Sequence, residues 1–213
     1  MYNLQIGRLH ILTDYRFQQH WPHWRIAEMA MEGGASLIQF REKHGLLQHI
    51  VHEARLAVAR CHASGVPMIV NDRVDVALAI EADGVHLGQD DLPVHIARRI
   101  LGDDAIVGGT ATTVEQARRA EAEGATYVGF GPVYSTQSKA NPASVKGLTG
   151  LEAVCSAISI PVIAIAGITA DRTAEVIGAG AYGVAVMTAV SLAPDPLAAT
   201  AELAEALRRS VDA

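Results

Sequence analysis

VPMIVNDRVDVALAIEADGVHLGQDD, residues 66–91, decides the fold. An apolar run, 66–70, stops at Asn71-Asp72. A short apolar, helix-like segment follows, and a second run, 84–87, stops at Gly88-Gln89-Asp90-Asp91. Short, continuously apolar runs bounded by turn residues read as strands covered on both faces. If the two are parallel neighbours, each delivers a carboxylate just past its last apolar residue, and Asp72 and Asp91 emerge on the same side of one sheet. With Asn71, Gln89 and His86 nearby, that pair suits a hard divalent cation such as Mg²⁺, which takes oxygen ligands and keeps several waters. The competing reading makes each Asp a helix N-cap, ahead of Val74 and Leu92.

The same strand-then-helix unit extends in both directions. Strands are expected at 8–13, 35–40, 66–70, 84–87, 105–109, 126–130, 161–165 and 182–187. The helices between and after them are expected near 23–32, 46–64, 74–81, 93–101, from Thr112 or Thr113 to Gly124, 148–157, 170–178 and 196–209. A weak repeat marks the joins: Gly33-Gly34-Ala35, Glu81-Ala82-Asp83-Gly84, Glu123-Gly124-Ala125 and Gly178-Ala179-Gly180-Ala181. Units of roughly 20–30 residues, each a parallel strand plus a crossover helix, build a (β/α)₈ TIM barrel. A doubly wound open sheet is the rival architecture. The barrel is favoured because eight units come out and polar residues follow nearly every strand. The expectation is α/β, one domain over residues 1–213, with its active site at the C-terminal strand ends.

Composition agrees. Half the residues are hydrophobic, 19% are charged and only 5% are aromatic, which suits small-residue packing of helices on parallel strands. The net charge of −6 argues against a nucleic-acid or membrane-surface binder. Cys61 and Cys155 lack CxxC or CxxH spacing and are expected to be buried free thiols in a reducing compartment. With no leader pattern and no apolar run of spanning length, a soluble cytoplasmic protein is expected. A homo-oligomer is left open.

At the strand ends the inventory is specific. Strand 2 supplies Gln39, Arg41 and Lys43; strand 3, Asn71 and Asp72; strand 4, His86, Gln89 and Asp91; strand 5, Thr110. The long connection after strand 6 carries Ser135, Thr136, Ser138 and Lys139; strand 7 gives Gly167, and strand 8 gives Met187-Thr188. Arg41, Lys43 and Lys139, gathered with hydroxyls in an otherwise acidic chain, describe a pocket for a polyanion. A carboxylate-held Mg²⁺ would bridge oxygens of a diphosphate there. Loops after strands 7 and 8 of barrels often bind a phosphate through backbone N–H groups. The composite is a diphosphate with Mg²⁺ facing a monophosphate across the mouth. Against it, Arg41 and Lys43 could pair with Glu42 or Glu53 in solvent. His20, His23, His49, His52, His62 and His95 are expected on solvated faces, and His86 could be structural. No Ser-His-Asp or Cys-His pair is placed for covalent catalysis.

QFREK (39–43), NDRVDVALAIEADGVHLGQDDLP (71–93), YVGFGPVYSTQSK (127–139), PVIAIAGI (161–168) and GVAVMTAV (183–190) resemble the thiamine-phosphate synthase family, in order and over nearly the whole chain. That family joins 4-amino-5-hydroxymethyl-2-methylpyrimidine diphosphate to a thiazole phosphate and releases pyrophosphate. The resemblance implies that Gln39, Arg41, Lys43 and Asn71 hold the pyrimidine diphosphate. It implies Asp72 and Asp91 as Mg²⁺ ligands, and Thr110 and Lys139 on the diphosphate. It also places Thr136, Ser138, Gly167, Met187 and Thr188 around the thiazole phosphate. The chain departs from the family pattern at Thr110 (commonly Ser), Thr112 (often His), Ser135 (commonly Pro) and Ala166 (the first Gly of a usual GGI). A related thiazole tautomerase commonly has a His near 112 and often lacks the diphosphate cluster, so the synthase is favoured. A non-catalytic thiamine-phosphate-binding barrel is the third reading.

Overall fold

The computed structural model describes residues 6–18, 20–136, 138 and 144–211. Eight parallel strands close into one barrel: β1 (Leu9–Asp14), β2 (Leu37–Arg41), β3 (Met68–Asn71), β4 (Gly84–Leu87), β5 (Ile106–Ala111), β6 (Tyr127–Phe130), β7 (Val162–Ile165) and β8 (Gly183–Val186). Each pairs with its neighbour in sequence, and β8 returns to β1 with Val184 opposite Leu9. The helices are α1 (His23–Glu32), α2 (Leu47–Ala63), α3 (Val74–Ala79), α4 (Val94–Leu101), α5 (Val114–Ala122), α6 (Gly147–Cys155), α7 (Thr173–Gly178), α8 (Thr188–Ser191) and α9 (Pro196–Val211).

Alternation along the strands separates two cores. Leu12, Leu37, Ile69, Ile106, Tyr127, Ile163 and Ala185 fill the barrel, while Ile11, Ile38, Phe40, Val70, Val85 and Val107 pack outward under the helices. A strand's side chains change face at every residue, so Gln39 and Arg41 follow Leu37 inward and Asn71 follows Ile69. This places the polar strand ends at the mouth directly above an apolar plug.

The repeat at the joins has one geometry. In α1, α2, α3, α5 and α7 the residue after the C-cap is left-handed: Gly34, Gly65, Glu81, Gly124 and Gly180, with φ between 57° and 101°. The next N–H reaches back to the helix, as in Val66 to the Cys61 carbonyl (3.0 Å) and Ala125 to the Ala120 carbonyl (3.0 Å). This is a Schellman closure, in which glycine takes the left-handed conformation without a Cβ penalty. It also explains why strands expected from residues 35 and 66 begin later, at Leu37 and Met68. Ala35 and Val66 spend their N–H groups on the preceding helix. The expected helix 170–178 is a 3₁₀ turn, Ala170–Arg172, followed by α7. The short α8 was not anticipated as a separate helix.

Cys61 is buried and Cys155 only partly so, a correction for the second; burial pushes their thiols up to about 12 and about 11. Among the described residues no helix is long and apolar enough to cross a membrane.

Candidate active site

Arg41 ends β2 at 7% exposure and forms an ion pair with Asp14, the last residue of β1 and itself 1% exposed. The register sets the two side by side. Burial pulls the Arg41 guanidinium below its ordinary range, while Asp72 and Glu42 hold it up. Lys43, two residues on and half exposed, places Nζ 2.7 Å from Asp72 Oδ2. Neither cation pairs with Glu42 or Glu53, the solvated alternative from the sequence. Glu42 instead faces His23 Nε2 (3.4 Å) and accepts from the His44 amide (2.8 Å).

Asp72 sits just past β3 with φ +65°, a left-handed conformation that Asp tolerates better than most side chains. Its amide donates to the His86 carbonyl (2.8 Å), which ties the β3 turn to β4. Asp91 curls back so that Oδ2 accepts the Gly88 amide (2.6 Å). Burial raises the Asp91 carboxyl, and the adjoining Asp72 carboxyl raises it further, opposed by Gly88 and Lys43. Asp72 thus lies close enough to Asp91 to disfavour its charged form. Neither is a helix cap: the cap positions of α3 and α4 are Arg73 and Pro93, and neither makes a side-chain capping bond. Asp72 leaves β3 through a left-handed step and pairs with Lys43, and Asp91 turns back to the Gly88 amide, so neither is spent on a helix end.

His86 bridges two hydroxyls, with Nδ1 2.9 Å from Tyr127 Oη and Nε2 2.8 Å from Thr110 Oγ1. Burial pushes the Tyr127 phenol far above its ordinary range, so it stays a hydroxyl. Gln89 donates to the Thr110 carbonyl and accepts from Arg119. Gly129 and Gly108 leave room for the imidazole, since a Cβ on Gly129 would stand 2.8 Å from His86 Cε1.

The other half of the rim is built from β6 to β8. The segment after β6 lies on the end of β7, with Val133 and Tyr134 donating to the Ile165 and Ala166 carbonyls (both 3.1 Å). Ala166 and Gly167 are consecutive left-handed residues, φ +83° and +67°. A Cβ on Gly167 would stand 2.7 Å from the Ser135 carbonyl, so the close approach requires glycine. Arg172 donates to the Gly167 carbonyl (2.6 Å) and stacks on Tyr134. Thr136 Oγ1 donates to Ser138 Oγ (3.1 Å), which lies 3.4 Å from Thr188 Oγ1 at the start of α8, beside Met187. Lys139 lies outside the described residues.

The structure thus brings Gln39, Arg41, Lys43, Asn71, Asp72, His86, Asp91 and Thr110 to one half of the mouth. Thr136, Ser138, Gly167, Met187 and Thr188 come to the other. Sequence reading missed Asp14, which shows only as a carboxylate after the first apolar run, and Tyr127, whose hydroxyl was indistinguishable from core. It also misplaced His23. At the start of α1 that ring is buried against Phe40, with Nδ1 2.7 Å from Thr13 Oγ1.

A closed eight-stranded parallel barrel with Arg41, Lys43, Asp72 and Asp91 at its C-terminal strand ends defines a (β/α)₈ barrel whose polar residues collect on the face where such folds carry their sites. The fold is shared with the solved (S)-3-O-geranylgeranylglyceryl phosphate synthase of Thermoplasma acidophilum, which superposes with a TM-score of 0.70 at 17% identity, covering 97% of this chain and 95% of that one. The family model described as thiamine monophosphate synthase matches residues 9–190, and the chain belongs to that family. It is 51% identical over 202 residues to the thiamine-phosphate synthase of Salinibacter ruber, covering 95% of this chain and 89% of that one. It is 44% identical to the one of Chloroflexus aurantiacus, covering 92% and 90%. The solved thiamine phosphate pyrophosphorylase of Pyrococcus furiosus superposes with a TM-score of 0.89 at 36% identity, covering 98% of both chains.

Proposed function

We propose that the chain joins 4-amino-5-hydroxymethyl-2-methylpyrimidine diphosphate to thiazole phosphate, giving thiamine phosphate and pyrophosphate. The observation that carries this is the convergence of Arg41, Lys43, Asp72 and Asp91 at the β2–β4 strand ends, facing the Gly167 turn across the mouth.

The residues present fit a divalent cation. Asp72 and Asp91 bring two carboxylates together at a cost that bound positive charge would relieve. Among the described residues no cluster of three or more His, Cys, Asp or Glu surrounds one point. Asp72 and Asp91 would therefore hold Mg²⁺ with water and substrate oxygens completing its shell. When bound, the ion supplies charge neutralisation at the diphosphate oxygens.

The chain's own groups account for the rest. Arg41 and Lys43, with Lys139 by resemblance, stabilise the negative charge that collects on the diphosphate as the pyrimidine-methylene C–O bond breaks. Thr110, held by His86, and Asn71 add neutral donors there. The Gln39 side-chain oxygen is buried without a hydrogen-bond partner among the described residues, which leaves it for an N–H of the pyrimidine. The aminopyrimidine carries the cation on its exocyclic carbon, and the thiazole nitrogen donates the electron pair that closes the new C–N bond. Thr136, Ser138, Gly167, Met187 and Thr188 would hold the thiazole phosphate so that this nitrogen lies within reach. No proton transfer is needed in the bond-making step.

The test is product formation from the two substrates, with Mg²⁺ and with EDTA, for wild type and Asp72→Ala. Mg²⁺-dependent thiamine phosphate that Asp72→Ala abolishes is the expected result. No product under any condition refutes the reading and turns the search to thiazole isomerisation or to binding without turnover.

A further inference from the structure

Asp14 is a buried carboxylate that the reaction above does not use. It is held by more than Arg41. Its Oδ1 accepts the Arg16 amide (3.0 Å) and Arg16 Nε (3.4 Å), and Arg16 Nη2 lies 3.5 Å from its Oδ2. Its own amide donates to Gln18 Oε1 (3.0 Å), a side chain that is 1% exposed. The same Arg16 Nη2 reaches the Ser138 carbonyl (3.4 Å) on the opposite half of the mouth. A row Arg41–Asp14–Arg16 therefore runs along the rim, with the carboxylate clamped between the two guanidinium groups.

Arginine is a long side chain, and ordering it on binding costs entropy unless it is ordered beforehand. Asp14 pairs with Nη1 of the planar Arg41 guanidinium, and a fork with five N–H donors can be fixed by one carboxylate without every donor being occupied. We propose that Asp14 is a positioning residue that presets Arg41 for the diphosphate, and that Arg16 holds the Asp14 carboxylate in place. This rests on the reading of Arg41 as a diphosphate ligand. A carboxylate next to an anion site could instead act only as a competitor for Arg41, and the two roles predict opposite signs.

The experiment titrates inorganic pyrophosphate with Mg²⁺ into the full chain by calorimetry, alongside steady-state kinetics with both substrates. Asp14→Asn keeps the size and an oxygen for the Arg16 amide but removes the charge. It is expected to weaken pyrophosphate binding at least tenfold and raise the KM for the pyrimidine diphosphate, with the KM for thiazole phosphate within twofold. Arg16→Ala, at a side chain 40% exposed, is expected to shift the same quantities two- to fivefold in the same direction, and it decides the matter if Asp14→Asn does not fold. Unchanged or tighter pyrophosphate binding overturns the proposal, as does an equal rise in both KM values, which marks general damage. Pyrophosphate binding does not require turnover. Wild-type protein that binds pyrophosphate but makes no thiamine phosphate would sink the proposed reaction and leave the role of Asp14 standing.

Discussion

Lowering the pH from 7 to 5 should destabilise this barrel through one ring in its interior. His10 is 1% exposed, with Nε2 2.9 Å from the Gly7 carbonyl and its ring edge-on to Tyr127. Burial lowers its pKa from 6.5 to about 4, partly offset by the Gly7 bond, with nearby His86 lowering it further. The sign follows from linkage. The folded state keeps His10 neutral, while the unfolded chain takes up a proton below 6.5. The stability that depends on a neutral His10 is therefore fully present above 6.5, drains away as pH falls, and is gone below about 4. At 1.36 kcal/mol per unit of pKa difference, the loss between pH 7 and pH 5 is about 2 kcal/mol. For a chain of this size that is a Tm decrease of roughly 4–8 °C. Other groups titrate in the same window, so the assay compares differences: denaturant unfolding at both pH values for wild type and His10→Gln. The variant should lose about 2 kcal/mol less on acidification. Equal acid sensitivity in the two proteins would refute the assignment of that loss to His10.

Three further outcomes are expected. Asp91→Asn keeps an acceptor for the Gly88 amide but removes the carboxylate that burial and Asp72 make costly; it should raise the Tm while abolishing Mg²⁺-dependent product, both read on one preparation. Ala166→Gly relieves a left-handed alanine, φ +83°, and should stabilise by about 0.5–1 kcal/mol in denaturant melts, with turnover retained. Tyr127→Phe removes the hydroxyl that meets His86 Nδ1 and should cost about 1–3 kcal/mol of stability, together with part of the activity that depends on Thr110.

How much of this the sequence reveals differs between fold and site. The eight units are legible because parallel strands covered on both faces must be continuously apolar, and because each helix stop announces the strand after it. The boundaries at 35 and 66 were not, since apolar character cannot tell a strand residue from one whose N–H closes the helix behind it. In the site, Asp72 and Asp91 were legible as carboxylates just past two strands. That Asp72 leaves β3 through a left-handed turn was not, because that conformation at a residue other than glycine leaves no mark in the apolar pattern. The partner of Arg41 was out of reach for a different reason. Asp14 is 27 positions away, and only barrel register puts it alongside. His23 and Tyr127 were misjudged because a polar side chain's burial is decided by tertiary packing, which one-dimensional patterning does not record.

The repeated helix-to-strand corners carry a lesson about how such a chain can change. At five joins the corner is closed by the same backbone hydrogen bonds, with the strand starting almost at once. Inserting even one residue there would break that closure and shift the strand against its neighbours. The opposite rim has no such restriction: the connection after β6 is long, that after β3 is short, and one loop holds an added helix, α8. Evolution can therefore edit the chemical face by insertion while the other face acts as a fixed ruler.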